Sequence, residues 1–157
     1  MATYAAYLDG EYGAEIYCLA PKLDQAEIVY DGIWQIIKNE PELDELCHRG
    51  RSGLYIEESN TWIKKIAFNA KKSDGFNPHV TICDEPHAWV GDAGLKQYEV
   101  MKSALGARRQ PIIISISTAG YVNNGIYDEL LARSTAVLKG SSRERRLLSI
   151  LYMIDAL

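Results

Sequence analysis

The sequence predicts an α/β protein in which helices cover both faces of a mainly parallel sheet. Two stretches, His79–Asp84 and Ile112–Ile116, are apolar runs that lead into polar residues, as buried parallel strands do at their carboxyl ends. The segment between them has the length of a helix, so the two strands are expected to share one edge of the sheet. At 157 residues the chain has the length of one domain, and 47% apolar against 24% charged residues is typical of a globular one.

The first half of the chain alternates between helical and extended patterns. An alanine-rich helix is predicted over Met1–Leu8 and a strand over Ala14–Ala20. A long helix follows Pro21 and ends at Asn39, and Pro41 then opens a short acidic helical turn. One side of the long helix is apolar, which predicts a buried stripe formed by Ala26, Val29, Tyr30, Ile33, Trp34 and Ile37.

A basic loop with two glycines is predicted over His48–Gly53, followed by a hairpin of Leu54–Glu57 and Thr61–Phe68. Two further helices are predicted on either side of the Ile112–Ile116 strand. The buried positions of the first are Leu95, Tyr98, Met101 and Leu105, and those of the second are Tyr127, Leu130, Leu131, Ser134, Val137 and Leu138. The apolar run Leu147–Asp155 predicts a last buried strand.

Asp84 and Glu85 stand where the first buried strand ends. Open α/β sheets bind ligands at this edge, and adjacent strand residues point to opposite faces, so the two acids are expected to have different roles. In nucleoside-triphosphate hydrolases the first acid of such a pair holds Mg²⁺ through water and the second polarises the attacking water. The alternative is a solvated strand end, where acids are common.

Composition excludes several classes of protein. No apolar run is long enough to cross a bilayer, and the first residues lack the pattern of a signal peptide. Three scattered cysteines form neither a disulfide framework nor a zinc site, which predicts a reducing cytosol. A net charge of −4 gives no overall attraction to nucleic acid, so any DNA contact would need a local patch.

Five segments in this order resemble the ATPase domain of tailed-phage terminase large subunits: Ala20–Ala26, Asp74–Pro78, Asp84–Trp89, Ala107–Pro111 and Ser117–Gly120. The resemblance covers nearly the whole chain. In that family the acidic pair is the Walker B motif. The coupling motif of the family is matched here by Ser117, Thr118, Ala119 and Gly120.

The resemblance implies a P-loop NTPase fold of the RecA-like type. The phosphate-binding loop of that fold, Gly-x-x-x-x-Gly-Lys-Ser/Thr, does not occur in this sequence. We therefore expect residues 1–157 to be a single partial ATPase domain without the first core strand, the Walker A loop or a nuclease domain. The absent strand would lie between Ile112–Ile116 and Leu147–Ile154. Those two strands are then expected to pair directly or to borrow a strand through oligomerisation.

The function that the resemblance implies is that of a viral DNA-packaging motor, which couples ATP hydrolysis to DNA translocation into a procapsid. Its cofactors would be ATP and Mg²⁺, with Asp84 holding Mg²⁺ through water and Glu85 activating the attacking water. Thr118 and its neighbours would sense the γ-phosphate. The partners would be double-stranded DNA, the portal protein, the terminase small subunit and further copies in a ring, in the cytoplasm of the bacterial host and without a membrane.

Basic residues could complete a neighbouring subunit's nucleotide site, and the candidates are Lys71, Lys72, Arg108 and Arg109. Solvated surface lysines, and arginines that cap a helix end, are the alternatives. His87 is expected at most to orient another group, and the role of Gln25 stays open. Two other functions are considered: a helicase-like ATPase, since Asp84-Glu85-Pro86-His87 also fits a DExH box, and a catalytically inactive remnant or interaction module. The absent phosphate loop favours the latter, so activity of this chain alone is not expected.

Overall fold

The architecture comes from a computed structural model of the chain, which describes residues 1–67, 75–121 and 124–153. Within these ranges the chain contains both helices and strands, as the sequence predicts for an α/β protein. The elements are α1 (Ala2–Tyr7), β1 (Glu15–Ala20), α2 (Leu23–Lys38), α3 (Pro41–Asp44), β2 (Cys47–Gly50), β3 (Gly53–Ile56), β4 (Thr61–Ala67), β5 (Pro78–Asp84), α4 (Gly91–Ala104), β6 (Ile112–Ile116) and α5 (Ile126–Leu138). Short 3₁₀ turns cover Pro86–Ala88 and Leu105–Ala107.

The strands form one mixed sheet in the order β2-β3-β4-β1-β5-β6. The four strands from β4 to β6 in this order are parallel, and β2 and β3 are added antiparallel at one side. The predicted fold class, a mainly parallel sheet of the P-loop NTPase type, is confirmed. The carboxyl ends of β4, β1, β5 and β6 lie along the same side of the sheet, which we call the carboxyl edge.

Two apolar cores lie on opposite faces of this sheet, as the prediction of helices on both faces requires. On one face, Cys18 of β1 and Ile82 of β5 pack with Tyr30, Ile33 and Ile37 of α2. We call it the α2 face. On the other, the α4 face, the buried cluster is Tyr17, Leu19, Cys83, Trp89, Tyr98, Met101 and Ile126. The predicted stripe of α2 is confirmed, because Ala26, Tyr30, Ile33 and Ile37 are buried and Val29 and Trp34 pack against that core.

No helix in the part of the chain that the structure describes combines the length and apolar character needed to span a bilayer.

The predicted basic loop over His48–Gly53 is wrong in its first half, because residues 48–50 belong to the short edge strand β2, paired antiparallel with β3. A four-residue segment with one buried apolar side chain, Cys47, followed by exposed His48, Arg49 and Gly50 carries too weak an apolar pattern to be recognised as a strand. Pairing with β3 in a hairpin holds these residues in a strand, and Gly53 makes that hairpin possible. Its φ is +139°, and a Cβ there would stand 2.2 Å from the carbonyl oxygen of Ile63. Exposed charged residues suit an edge strand, since they discourage further pairing. The β3–β4 hairpin itself is confirmed.

The predicted last strand is also wrong within the described residues, where 147–153 adopts no regular structure. Leu148 is 88% exposed, Ile150 71% and Tyr152 97%, whereas Leu147 and Leu151 are partly buried. The side chains thus alternate as in a strand, but the backbone has no strand partner. A cavity of about 360 Å³ is lined by this segment, β6 and α5. Among the described residues, direct pairing with β6, one of the two expected arrangements, is not formed. β6 is therefore an edge strand with Ile112 and Ile116 exposed, and not the buried strand that the sequence predicted.

Candidate functional site

The ends of β5 and β6 meet at the carboxyl edge. Asp84 is in register with Ile116, and the next amide along β5, that of Glu85, donates to the carbonyl oxygen of Ile116 at 2.8 Å. Each strand therefore delivers its following residues to the same place, Asp84 and Glu85 from one and Ser117 and Thr118 from the other. The sequence predicted this juxtaposition from the two apolar runs.

Glu85 lies in the left-handed region of the backbone map, with φ 51° and ψ 54°. A residue with a Cβ reaches this conformation at a cost of about 1–2 kcal/mol, and such outliers cluster at functional sites. It lets β5 turn at once into the Pro86–Ala88 3₁₀ turn, whose Ala88 amide donates to the Glu85 carbonyl oxygen at 2.9 Å. No pattern in the sequence indicated this conformation.

Trp89 anchors the turn from within the α4 face. Its side chain is fully buried, and its indole Nε1 donates to the Asp84 carbonyl oxygen at 3.0 Å. The Cβ and backbone of Trp89 lie so close to α4 that a Cβ at Gly94 would stand 2.7 Å from both the Trp89 Cβ and the Trp89 carbonyl oxygen. Trp89 and Gly94 thus hold the strand end, and sequence reasoning assigned neither of them a role. A buried tryptophan directly after an acidic strand end was the available signal.

The Glu85 carboxylate is held by groups at the end of β6. Its Oε2 accepts from the Thr118 amide at 3.2 Å and from the Thr118 hydroxyl at 3.1 Å. The same oxygen lies 2.7 Å from His87 Nδ1, and both side chains are about one-third exposed, at 31% and 29%. A carboxylate in this position is accessible to solvent and also in direct contact with the predicted coupling loop.

His87 contacts the β6 end as well as Glu85. Its Nδ1 lies 3.1 Å from Ser117 Oγ, and its backbone N–H donates to the same oxygen at 3.3 Å. A Cβ built at Gly120 would stand 2.5 Å from the His87 Cβ. The His87 ring also meets the Tyr127 ring edge-on, with centroids 6.4 Å apart. Among the predicted coupling residues, Thr118 therefore contacts Glu85 directly, and Ser117 and Gly120 contact His87 in the turn that follows it.

Asp84 points to the other face. Because side chains alternate along a strand, it shares the α2 face with Ile82 and Cys18. Burial raises the pKa of its carboxyl, and the neighbouring Glu85 charge raises it further. Within the described ranges no hydrogen bond or ion pair involves its carboxylate oxygens. A half-buried carboxylate with a raised pKa and no nearby cation is a suitable oxygen ligand for a hard divalent ion.

The described residues contain no cluster of three or more His, Cys, Asp or Glu that could enclose a metal ion. Asp84 alone therefore fits Mg²⁺ only in the manner usual for nucleotide enzymes, in which one carboxylate acts together with water and substrate phosphates. Gln25 lies near this edge, in the first turn of α2 just beyond the end of β1. Its side-chain Oε1 is buried without a hydrogen-bond donor in the described part of the chain.

Of the four predicted basic residues, the structure describes Arg108 and Arg109. Lys71 and Lys72 lie outside the described residues. Arg108 lies opposite the carboxyl edge, at the edge formed by the amino-terminal ends of the parallel strands. Its side chain is only 8% exposed and forms an ion pair with Glu11 at 3.3 Å. It also donates to the carbonyl oxygens of Tyr12 and Gly13. The seven residues of β5 separate that edge from Asp84 by roughly 20 Å. Arg108 thus fastens the α1–β1 loop, a role that the sequence analysis did not consider. Arg109 is exposed.

The comparisons with known proteins agree with one another. The family model described as "Terminase large subunit, ATPase domain" matches residues 1–135. Protein YmfN of Escherichia coli strain K12 is 34% identical over 105 residues, which are 67% of this chain and 22% of that protein.

Solved structures give the same result at the level of fold. The HK97 bacteriophage large terminase superposes with a TM-score of 0.70 at 22% identity, over 88% of this chain and 29% of the terminase. The large terminase ATPase domain of Thermus phage P74-26, as an arginine mutant, gives 0.62 at 17% identity, over 82% of this chain and 56% of that one. The chain thus spans about a fifth of YmfN and less than a third of the HK97 terminase.

Proposed function

We propose, from the premise that this chain belongs to the terminase large subunit ATPase-domain family, that it is the hydrolytic part of a motor that packages double-stranded viral DNA. In this proposal hydrolysis of ATP at the carboxyl edge drives DNA into a procapsid. The observation that carries the proposal is the contact between the Glu85 carboxylate and Thr118, which joins the acidic strand end to the predicted coupling loop. A helicase-like ATPase has no comparable support, because the family model that matches is that of terminases.

Asp84 and Glu85 have separate roles in this proposal. Asp84 holds Mg²⁺ through water from the α2 face, which its unpaired, half-buried carboxylate supports. When bound, the ion would neutralise charge on the transferred phosphoryl group. Glu85 orients the attacking water and accepts its proton, for which its partial exposure is suitable. Thr118 senses the γ-phosphate through the bonds that it makes to Glu85, and Ser117, Ala119 and Gly120 complete the loop.

Groups that cradle the phosphates are not found among these 157 residues, since the sequence has no Gly-x-x-x-x-Gly-Lys-Ser/Thr segment. ATP binding is accordingly proposed for the packaging protein as a whole, with residues 1–157 acting as one partial ATPase domain that includes no nuclease domain. The basic groups proposed to reach a neighbouring subunit's nucleotide are Lys71, Lys72 and Arg109. Arg108 is no longer proposed, because it is already bonded within the fold.

The proposed partners are double-stranded DNA, the portal protein, the terminase small subunit and further copies of the motor in a ring. The proposed setting is the cytoplasm of the bacterial host. A net charge of −4 gives no general attraction to DNA, so contact with the duplex would use a local patch or residues outside this chain.

A packaging assay tests the proposal at the level of function. A motor protein that contains these residues together with a phosphate-binding loop is mixed with procapsids, DNA and ATP, and DNA protected from nuclease is measured. Glu85→Gln is expected to abolish protection. Glu58→Gln, which removes an exposed carboxylate from the β3–β4 turn, serves as the matched control and is expected to leave protection unchanged. Packaging that persists with Glu85→Gln would contradict the proposal.

A further inference from the structure

We propose that His87 is a positioning residue that transmits the state of the Glu85 carboxylate to the Ser117–Gly120 loop and to the first turn of α5. The inference rests on the proposed function for the role of Glu85, but the contacts that carry it are independent of that role. Within the described part of the chain His87 contacts three segments: the end of β5 through Glu85, the Ser117–Gly120 loop through both of its end residues, and α5 through Tyr127.

The hydrogen bonds define which nitrogen of His87 matters. A carboxylate only accepts, so the 2.7 Å contact with Glu85 places the proton on His87 Nδ1. Ser117 Oγ accepts from the His87 backbone N–H at 3.3 Å and lies 3.1 Å from the same Nδ1. One N–H group of the ring therefore lies between the acidic residue of β5 and the hydroxyl that follows β6. The direction in which this N–H group points depends on the position of the Glu85 carboxylate.

Packing makes His87 sensitive to the loop. The φ of Gly120 is outside the left-handed region, so its backbone conformation does not require glycine. What requires glycine is the close approach of His87, because any Cβ at Gly120 would be 2.5 Å from the His87 Cβ. On its other side the ring meets Tyr127, in the first turn of α5. A shift of the ring therefore displaces the loop, the helix or both.

Glu85 is held in this structure by three donors on one oxygen, the amide and hydroxyl of Thr118 and Nδ1 of His87. To orient a water, the carboxylate has to give up at least part of this set. Nδ1 then loses its contact with Glu85 while Ser117 Oγ stays within reach at 3.1 Å, so the imidazole follows the loop. Two arrangements follow. In one, Glu85 is held and the start of α5 is fixed. In the other, Glu85 is released and the loop and α5 are both less constrained. A two-state element of this kind is what coupling between distant sites requires.

Paired substitutions at His87 separate positioning from simple packing. An asparagine amide can place its N–H near the position of Nδ1, whereas a glutamine amide reaches the region of Nε2. Hydrogen exchange is measured in the 157-residue chain at the amides of Thr118 and Leu130. His87→Asn is expected to leave both rates within about twofold of wild type. His87→Gln is expected to raise both by about fivefold or more, the lower range of typical coupling. Equal effects of the two variants would overturn the proposal.

The same spectra provide a control for correct folding. Amides of β1 and of the middle of β5 are far from His87 and should keep their wild-type exchange rates in both variants. Coupling is then tested with Glu85→Ala. This change is expected to speed exchange at Leu130 in the wild-type background and to have little further effect in His87→Gln. An equal increase in both backgrounds would show that Glu85 acts on α5 without His87, and would also overturn the proposal.

The exchange experiment is separable from the proposed function. If Glu85→Gln left ATP turnover by the complete motor intact, the hydrolytic role of Glu85 would fail while the exchange pattern could still hold. If turnover depended on Glu85 but His87→Asn and His87→Gln gave the same exchange, the positioning role would fail alone. In the complete motor, His87→Gln is expected to lower kcat with little change in KM, and His87→Asn to retain kcat.

Discussion

Glu85 occupies a backbone conformation that its side chain makes unfavourable, and its neighbours explain how it is held there. The Pro86–Ala88 turn and buried Trp89 fix the backbone, and Thr118 and His87 fix the carboxylate. Asp84, one residue earlier, remains in the regular strand and faces the opposite side of the sheet. The left-handed backbone conformation of Glu85 therefore places the two adjacent acids in different environments.

Asp84 is expected to lower the stability of the ligand-free protein. Its pKa is raised in the fold, so the ionised form is disfavoured there relative to the unfolded chain. The penalty is fully present above the raised pKa and disappears as pH falls below the ordinary value for Asp. Asp84→Asn should therefore raise the thermal unfolding midpoint at neutral pH, and the gain should shrink towards pH 4. A lower unfolding midpoint for Asp84→Asn at neutral pH would mean that other groups in the fold stabilise the ionised Asp84 carboxylate.

At the scale of elements, the strand ends were predictable because β5 and β6 are apolar and uninterrupted, although only β5 is buried along its length. The buried stripe of α2 was predictable for the same reason. The strand β2 was not, since its Cys47–Gly50 sequence is short and mostly exposed and its structure depends on pairing with β3. For residues 147–153 the prediction fails for the opposite reason. They have a strand-like apolar pattern, but a strand also needs a neighbouring strand with which to pair. Periodicity predicts which face is buried and not whether a partner is present.

Arg108 illustrates a role that no local pattern indicates. Its guanidinium joins the loop before β1 to the segment before β6 by bonds to Glu11, Tyr12 and Gly13. Arg108→Ala would leave those acceptors without their donor, and the free energy of unfolding should fall by about 2–4 kcal/mol. Arg109→Ala is the matched control, because Arg109 is exposed, and should change it by no more than about 0.5 kcal/mol. Urea unfolding measures both. Similar effects of the two substitutions would refute the bracing role.

The free side of β6 gives a second prediction at this scale. Successive N–H groups of a strand point to alternate sides, so some amides of Ile112–Ile116 bond to β5 and the others face the open edge. Hydrogen exchange on a monomeric sample should separate them into a slow and a fast class. Uniform slow exchange along β6 would show that a strand covers the edge in solution, and light scattering would reveal whether a second copy supplies it.

At the scale of the whole molecule, a mainly parallel sheet between two helical layers brings the acidic pair and the predicted coupling loop together at the carboxyl edge. The family and the fold were both predictable from sequence, because motif order survives where overall identity is as low as 17–22%. The site was predictable only in outline. Which residues lie near the edge follows from topology, but Trp89, Gly94 and the contacts of His87 depend on packing between segments distant in sequence.

The central claim is that Asp84 and Glu85 have different roles in one hydrolytic site. Its most direct test measures Mg²⁺-dependent nucleotide binding and ATP turnover in a protein that joins these residues to a phosphate-binding loop. Glu85→Gln should lower turnover by about 10²-fold or more while binding persists, whereas Asp84→Asn should weaken binding as well. The 157 residues alone should show no turnover above their own Glu85→Gln variant. Equal and mild effects of both substitutions in the joined protein would contradict the account, and would leave the two acids as an ordinary solvated strand end.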